Sequence, residues 1–135
     1  MNREIKFRAW LEGKHEGLSF TKPTMDYDVV LSKNGHWCDV ESGWDIQGEY
    51  ESIPIMQFTG LQDKNGKDIY EGDIVRYYNK YSKLFYTHQV MWDNKWPAFG
   101  LFEQGNEWCK EIDWVKISEI EVIGNIYENP ELLTN

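Results

Sequence analysis

Cysteine is scarce: the 135 residues hold only Cys38 and Cys109. That is too few for a disulfide scaffold, and both are expected to be reduced, largely buried thiols. Long apolar runs are missing, and nothing approaches the roughly 20 residues a membrane-spanning helix needs. The N-terminus offers no signal-peptide core, because Arg3-Glu-Ile-Lys-Phe-Arg8 alternates charged and apolar residues. The expectation is a cytoplasmic protein with no membrane partner. Cations are outnumbered, 14 Lys and Arg against 23 Asp and Glu, for a net charge of -9. A chain of that sign repels phosphate backbones at long range, so nucleic acid is not a favoured partner. Serine is sparse, and no Gly-x-Ser-x-Gly, Walker A loop, Gly-x-Gly-x-x-Gly or EF-hand pattern occurs. No enzyme, no catalytic residue and no cofactor are expected.

What is abundant is aromatic side chain, 16% of the chain, with seven Trp and eight Tyr. The patterning around it is that of strands. Arg3 to Trp10 alternates, with Ile5, Phe7 and Ala9 on one side and Glu4, Lys6 and Arg8 on the other. Residues 11–17 read as a polar loop, Leu18 to Phe20 as a returning strand, and Thr21 to Asp28, with Pro23, as a connection. Tyr27 to Leu31 and Trp37 to Val40 flank Asn34-Gly35, a strong hairpin signal because both turn residues accept positive φ. Glu41 to Ser52 reads as a mobile loop. The centre of the chain, Met56 to Val75, gives a strand, a turn at Asn65-Gly66, a short apolar step at Ile69-Tyr70 and a tight turn at Glu71-Gly-Asp73. Strands are then expected at Ile74 to Tyr78, Phe85 to Trp92 and Trp96 to Phe102. Asn106 to Ile120 fits both a loose 3.6 period and an alternation, and is read as a short helical turn followed by a strand. Ile120, Val122, Ile123, Ile126 and Tyr127 form the last apolar segment, and Asn129-Pro130 opens a short helical tail.

Short strands with a turn signal every ten residues or so mean a mainly-β fold of many short antiparallel strands. Residues 56–135 resemble a small SH3-like barrel with a C-terminal helical turn. Residues 1–55 read as β-hairpins packed on it, the two regions forming one unit.

Three groups of residues invite chemistry. Arg76, Tyr78, Lys80, Tyr81 and Lys83 interleave cations with rings, the mix that stacks bases and grips phosphates; the plainer reading is cross-strand tyrosines and solubilising lysines. His36, Cys38, His88 and Cys109 lack the spacing of zinc ribbons or fingers, so no metal site is expected. The carboxylate pairs Asp26/Asp28, Asp39/Glu41, Glu111/Asp113 and Glu119/Glu121 each share one side of a strand and read as solvated faces. The tryptophans Trp92, Trp96, Trp108 and Trp114 are more than a small core holds, and an oligomer interface would bury the surplus.

Arg3-Glu-Ile-Lys-Phe-Arg-Ala-Trp10, Gln57-Phe-Thr-Gly-Leu61 with Asn65-Gly-Lys-Asp-Ile-Tyr-Glu-Gly-Asp-Ile-Val75, and Val122-Ile-Gly-Asn-Ile-Tyr-Glu-Asn-Pro-Glu-Leu-Leu133 together resemble the YopX family of phage and prophage proteins. The resemblance implies a small, mostly β, prophage-encoded protein that forms homo-oligomers, and it supplies no catalytic or ligand residue. The expectation is therefore a non-enzymatic phage or prophage accessory protein in the host cytoplasm, a self-assembling interaction module with a host or phage protein as a further possible partner. Its alternatives are a nucleic-acid-binding module using Arg76 to Lys83, and an acidic decoy that binds a basic host protein.

Overall fold

The computed structural model describes residues 4–12, 23–43, 45–46, 53–93, 98–102, 109–111 and 119–133. The protein is mainly β, with its strands in two antiparallel sheets. The chain divides into two compact units, Met1–Phe58 and Thr59–Asn135.

In the first unit β1 (Phe7–Leu11) lies between β2 (Thr24–Leu31) and the start of β4 (Ile55–Gln62), and β3 (Trp37–Asp39) is the edge beyond β2. The β2–β3 hairpin forms as its Asn-Gly turn dictates. Gly35 takes φ 80°, and Val29, Val30 and Leu31 pair with Asp39, Cys38 and Trp37. Ala9, Leu11, Val29 and Ile46 make the core, with Phe7, Trp37, Ile53 and Ile55 packed on it. Phe7 and Trp37 meet edge to face at 5.2 Å.

Several expectations are corrected here. Thr24 to Asp28 is strand, not connection: Pro23 stands just before the first strand residue, where its missing N–H costs no ladder bond. Arg8 was placed on a polar face, yet it is 2% exposed and lies over the Tyr27 ring at 5.7 Å. The ring from β2 covers a side chain that alternation alone would leave in water. Ile5 is exposed, because the strand begins only at Phe7. The partner of β1 is β2; Leu18 to Phe20 lie outside the described residues. Of the expected mobile loop, Asp45 forms a bridge with Cys38 and Ile46 is buried, while residues 47–52 lie outside the description.

The second unit holds the end of β4, then β5 (Asp68–Tyr70), β6 (Asp73–Asn79), β7 (Leu84–Asp93), β8 (Ala98–Phe102), β9 (Cys109–Glu111) and β10 (Glu121–Asn125), followed by a 3₁₀ turn at Pro130–Leu133. Its sheet has the order β10-β6-β7-β8-β9. Ile69, Val75, Tyr77, Val90, Phe99, Leu101, Ile120 and Val122 form the core. Tyr77 stacks on Tyr86 at 5.8 Å and on His88 at 5.4 Å, so His88 is a packed core histidine. These pairings define a sheet and leave the SH3-like barrel an expectation.

Cys109–Glu111 is a strand inside the stretch expected to begin with a helical turn. Its ladder with Gly100, Leu101 and Phe102 outweighs a weak helical period. Residues 112–118 lie outside the description.

The central stretch is a joint. Gly60, Gly66 and Gly72 have φ 91°, 80° and 88°, as turn and bulge positions require. Asp63 is buried, and its Oδ1 accepts the N–H groups of Asn65 (2.8 Å) and Lys67 (2.9 Å) while Oδ2 accepts Val122 N–H (2.9 Å). Asp73 Oδ2 accepts Tyr70 N–H at 2.8 Å, as its turn position suggested. Gly124 needs space rather than positive φ: it sits at a bulge in β10, where a Cβ would lie 2.5 Å from Asn129 Oδ1. That oxygen accepts the Asn125 N–H (3.3 Å), so the Asn129 side chain turns back to β10. Leu132 stays exposed and Leu133 half-buried, and the 3₁₀ turn rests on β7 without entering the core.

Candidate binding face on the β6–β7 hairpin

β6 and β7 pair from Ile74↔Gln89 to Asn79↔Leu84, which puts Val75, Tyr77, Tyr86, His88 and Val90 on the core side. The other side carries Arg76 opposite Thr87 and Tyr78 opposite Phe85. Tyr78 and Phe85 touch with ring centroids 5.1 Å apart, and the Arg76 guanidinium lies 5.2 Å from the Phe85 centroid. Directly opposed strand residues are close enough for such ring contacts to help hold the pair.

The turn between the strands is organised by Asn79. Its Oδ1 accepts the N–H groups of Tyr81 (2.8 Å) and Ser82 (3.1 Å), and its carbonyl accepts Lys83 N–H (2.8 Å). Lys83 takes φ 60°, a left-handed conformation unusual for a lysine. The result is an apolar tip in water: Tyr81 is 97% exposed, Phe85 66%, Leu84 58% and Tyr78 42%.

Two cations of this hairpin, Arg76 and Lys80, and Lys64 from the turn before β5 face carboxylates. Arg76 Nη2 lies 3.3 Å from Glu121 Oε1, Lys64 Nζ 3.3 Å from Glu121 Oε2, and Lys80 Nζ 3.8 Å from Glu119 Oε1. Each pair is solvated and individually weak, but together they offset the charge a phosphate would seek.

All five residues singled out in the sequence, Arg76, Tyr78, Lys80, Tyr81 and Lys83, fall on this hairpin, with Arg76 and Tyr78 sharing the outer strand face and the other three in the turn. Phe85 and Leu84 were missed. Phe85 shares the outer face because it pairs directly with Tyr78. Glu119 and Glu121 were also missed, because their pairing crosses about forty residues of chain. Trp92 is 41% exposed and meets Phe99 edge to face at 5.1 Å; Trp96, Trp108 and Trp114 lie outside the described residues. Of the zinc candidates, His36 Nδ1 lies 2.6 Å from Asp45 Oδ2 and His88 is buried among rings. Among the described residues no three His, Cys, Asp or Glu are grouped to hold a metal, and no helix is long and apolar enough to cross a membrane.

Two antiparallel sheets, linked through a glycine-bearing joint, define a small mainly-β protein. The chain belongs to the YopX protein family, whose model matches residues 6–134. It is similar to a protein of known crystal structure from Enterococcus faecalis, with 30% identity, 98% of this chain and 99% of that chain covered, and a TM-score of 0.52. It is also similar to protein YopX from Bacillus subtilis, with 21% identity, 95% and 97% coverage and a TM-score of 0.54, a likeness of fold. No curated protein matches the sequence.

Proposed function

We propose that this chain is a non-enzymatic accessory protein of a phage or prophage, acting in the host cytoplasm as a self-assembling interaction module through the outer side of the β6–β7 hairpin. The observation that carries this reading is the exposed ring pair Tyr78 and Phe85 on that side, with Tyr81 in the turn beside it. Contiguous apolar surface of this kind marks interaction sites, and aromatic residues dominate the energetics of interfaces. The ion pairs around it favour a protein surface over a polyanion, since Arg76 and Lys80 already face carboxylates.

Light scattering over a micromolar concentration series tests the reading. The intact chain is expected to exceed its monomer mass, and Phe85→Glu to lower that mass with the circular dichroism of the folded chain retained. A monomer at every concentration overturns self-assembly. A second reading, single-stranded nucleic acid, draws on Tyr81 and Phe85, whose open rings suit base stacking. Salt-titrated oligonucleotide binding that disappears in Lys80→Ala/Lys83→Ala supports it; no binding at low salt removes it.

A further inference from the structure

Lys-Asn-Gly occurs twice in the chain, as Lys33-Asn34-Gly35 and as Lys64-Asn65-Gly66. The first copy joins β2 to β3 and the second joins β4 to β5. The two turns share one backbone form. In each, the glycine takes φ 80°. Gly35 N–H donates to the Ser32 carbonyl and Gly66 N–H to the Asp63 carbonyl, both at 3.0 Å. Ser32 N–H donates to the His36 carbonyl and Asp63 N–H to the Lys67 carbonyl, both at 2.8 Å. Asn34, Gly35, Asn65 and Gly66 are all exposed, and the space a Cβ would fill at either glycine is open.

What differs is the residue that starts each turn. Ser32 offers a hydroxyl, which accepts the His36 N–H at 3.4 Å, a long and weak bond. Asp63 offers a buried carboxylate, which accepts the N–H groups of Asn65 at 2.8 Å and of Lys67 and Val122 at 2.9 Å. Lys64 N–H adds a bond to the Ile120 carbonyl. Among the described residues the first turn has one outward tie, His36 Nδ1 to Asp45 Oδ2 at 2.6 Å, and it holds none of Lys33, Asn34 or Gly35.

Asparagine followed by glycine is open to an intramolecular reaction. The glycine amide nitrogen, having given its proton to hydroxide, bonds to the asparagine Cγ. The side-chain nitrogen takes a proton from water and leaves as ammonia, restoring the hydroxide and closing a succinimide. Water then cleaves the ring at one of its two carbonyls. Cleavage at Cγ leaves aspartate; cleavage at the main-chain carbonyl leaves isoaspartate, with the chain running through the former side chain. The net change is one water consumed and one ammonia released, with no oxidant and no cofactor. Glycine favours the attack because no Cβ obstructs it. In both turns the attacking nitrogen is engaged by a carbonyl, so ring closure requires the turn to open.

We propose that Asn34 is a spontaneous modification site, converting to aspartate and isoaspartate in the folded protein, and that Asp63 protects Asn65 from the same reaction. The consequence falls on β3. Isoaspartate lengthens the main chain between Leu31 and Trp37, which pair with each other, and the new carboxylate adds charge. β3 has three residues and lies at the sheet edge, so few ladder bonds resist its release. Release parts Trp37 from Phe7.

The test is incubation of the full chain in H₂¹⁸O in mildly alkaline buffer, with conversion at each site followed by peptide mass spectrometry; the heavy oxygen marks changes that precede digestion. Asn34 is expected to convert at least roughly tenfold faster than Asn65, because hydrogen bonds to a charged acceptor must break to open the second turn alone. In urea, with both turns lost, the two sites should convert at similar rates. Asp63→Ala should speed conversion of Asn65, and Ser32→Asp should slow that of Asn34. The converted fraction, separated by charge, should lose amide protection in β3 and keep it in β6; unchanged protection in β3 overturns its release. Equal rates in the folded chain, or a preference that persists in urea, overturns the proposal. So does an Asn34 that stays intact in the folded chain while the urea-treated chain converts. If Asp63→Ala does not fold, the folded and urea-treated forms of the unmodified chain decide alone.

Discussion

Two turns in the second unit use the same local device to opposite ends. In each, a side-chain oxygen at the start of the turn accepts two of the following backbone N–H groups: Asp63 for Asn65 and Lys67, Asn79 for Tyr81 and Ser82. The difference lies in the second oxygen and the setting. Asp63 is buried and spends its other oxygen on Val122, 59 residues away, so its turn is bolted to β10. Lys64 N–H adds a further tie, to the Ile120 carbonyl at 2.9 Å. The Asn79 side chain bonds within its own turn, whose distant tie is the solvated Lys80–Glu119 ion pair, and Tyr81 is held out in water. Asx chemistry alone therefore does not tell a structural joint from a presented surface; the long-range partner does.

The sharpest way to break the comparison is to remove both oxygens. Asp63→Ala leaves the Val122 N–H without its acceptor along with two turn N–H groups, and should cost about 3 kcal/mol in urea unfolding. Asn79→Ala should cost under about 1 kcal/mol, since its turn is solvated. Equal losses would mean that the Asp63 tie to β10 contributes little. The charge on Asp63 adds a pH signature. Burial pushes its carboxyl up, but the N–H donors of Val122, Lys67 and Asn65, with the Lys67 charge, outweigh that and hold it below 3.8. A lowered carboxyl contributes fully above 3.8 and is lost as pH falls through its folded value. Asp63→Asn should flatten that acid limb of the stability curve, and Asn79→Ala should leave it unchanged.

Much of this architecture was legible in local sequence. Asn34-Gly35, Asn65-Gly66 and the Glu71-Gly-Asp73 turn announce their conformations through residues that tolerate positive φ or accept neighbouring N–H groups. Alternation likewise set the core side of β6 and β7. What escaped was decided at a distance. Arg8 is buried and lies over Tyr27 of β2, and nothing within Arg3 to Trp10 encodes that partner. Cys109–Glu111 is strand because β8 offers it a ladder. The binding face was half legible: its rings follow from period two, its charge balance from Glu119 and Glu121 does not.

The next effect in size concerns the strand to which Asp63 is bolted. Gly124→Ala would place a Cβ 2.5 Å from Asn129 Oδ1 and should cost about 2 kcal/mol by thermal or urea unfolding, because that oxygen is held by the Asn125 N–H. An unchanged stability would show that the Asn129 side chain swings away freely. Gly66→Ala, in the Asp63 turn, meets open space, so only its φ of 80° opposes it; about 1 kcal/mol is expected. Phe85→Glu, on the open hairpin, should alter stability by less than about 0.5 kcal/mol while lowering the assembled mass.

The smallest effect runs the other way. Where the Asp63 turn places glycine at its left-handed position, the Asn79 turn places Lys83 at φ 60°. A lysine there bears a steric penalty that glycine avoids, although glycine also gains freedom in the unfolded chain, so Lys83→Gly should stabilise by only about 0.5 kcal/mol. The same variant separates the two readings of the hairpin. If the exposed rings dock a second copy, Lys83→Gly leaves the assembled mass unchanged because Tyr78, Leu84 and Phe85 are intact. If the hairpin grips a phosphate backbone, Lys83→Gly weakens oligonucleotide binding and flattens its salt dependence by about one unit of slope. A stabilised variant with unaltered mass favours docking between copies; a shallower salt slope favours the polyanion.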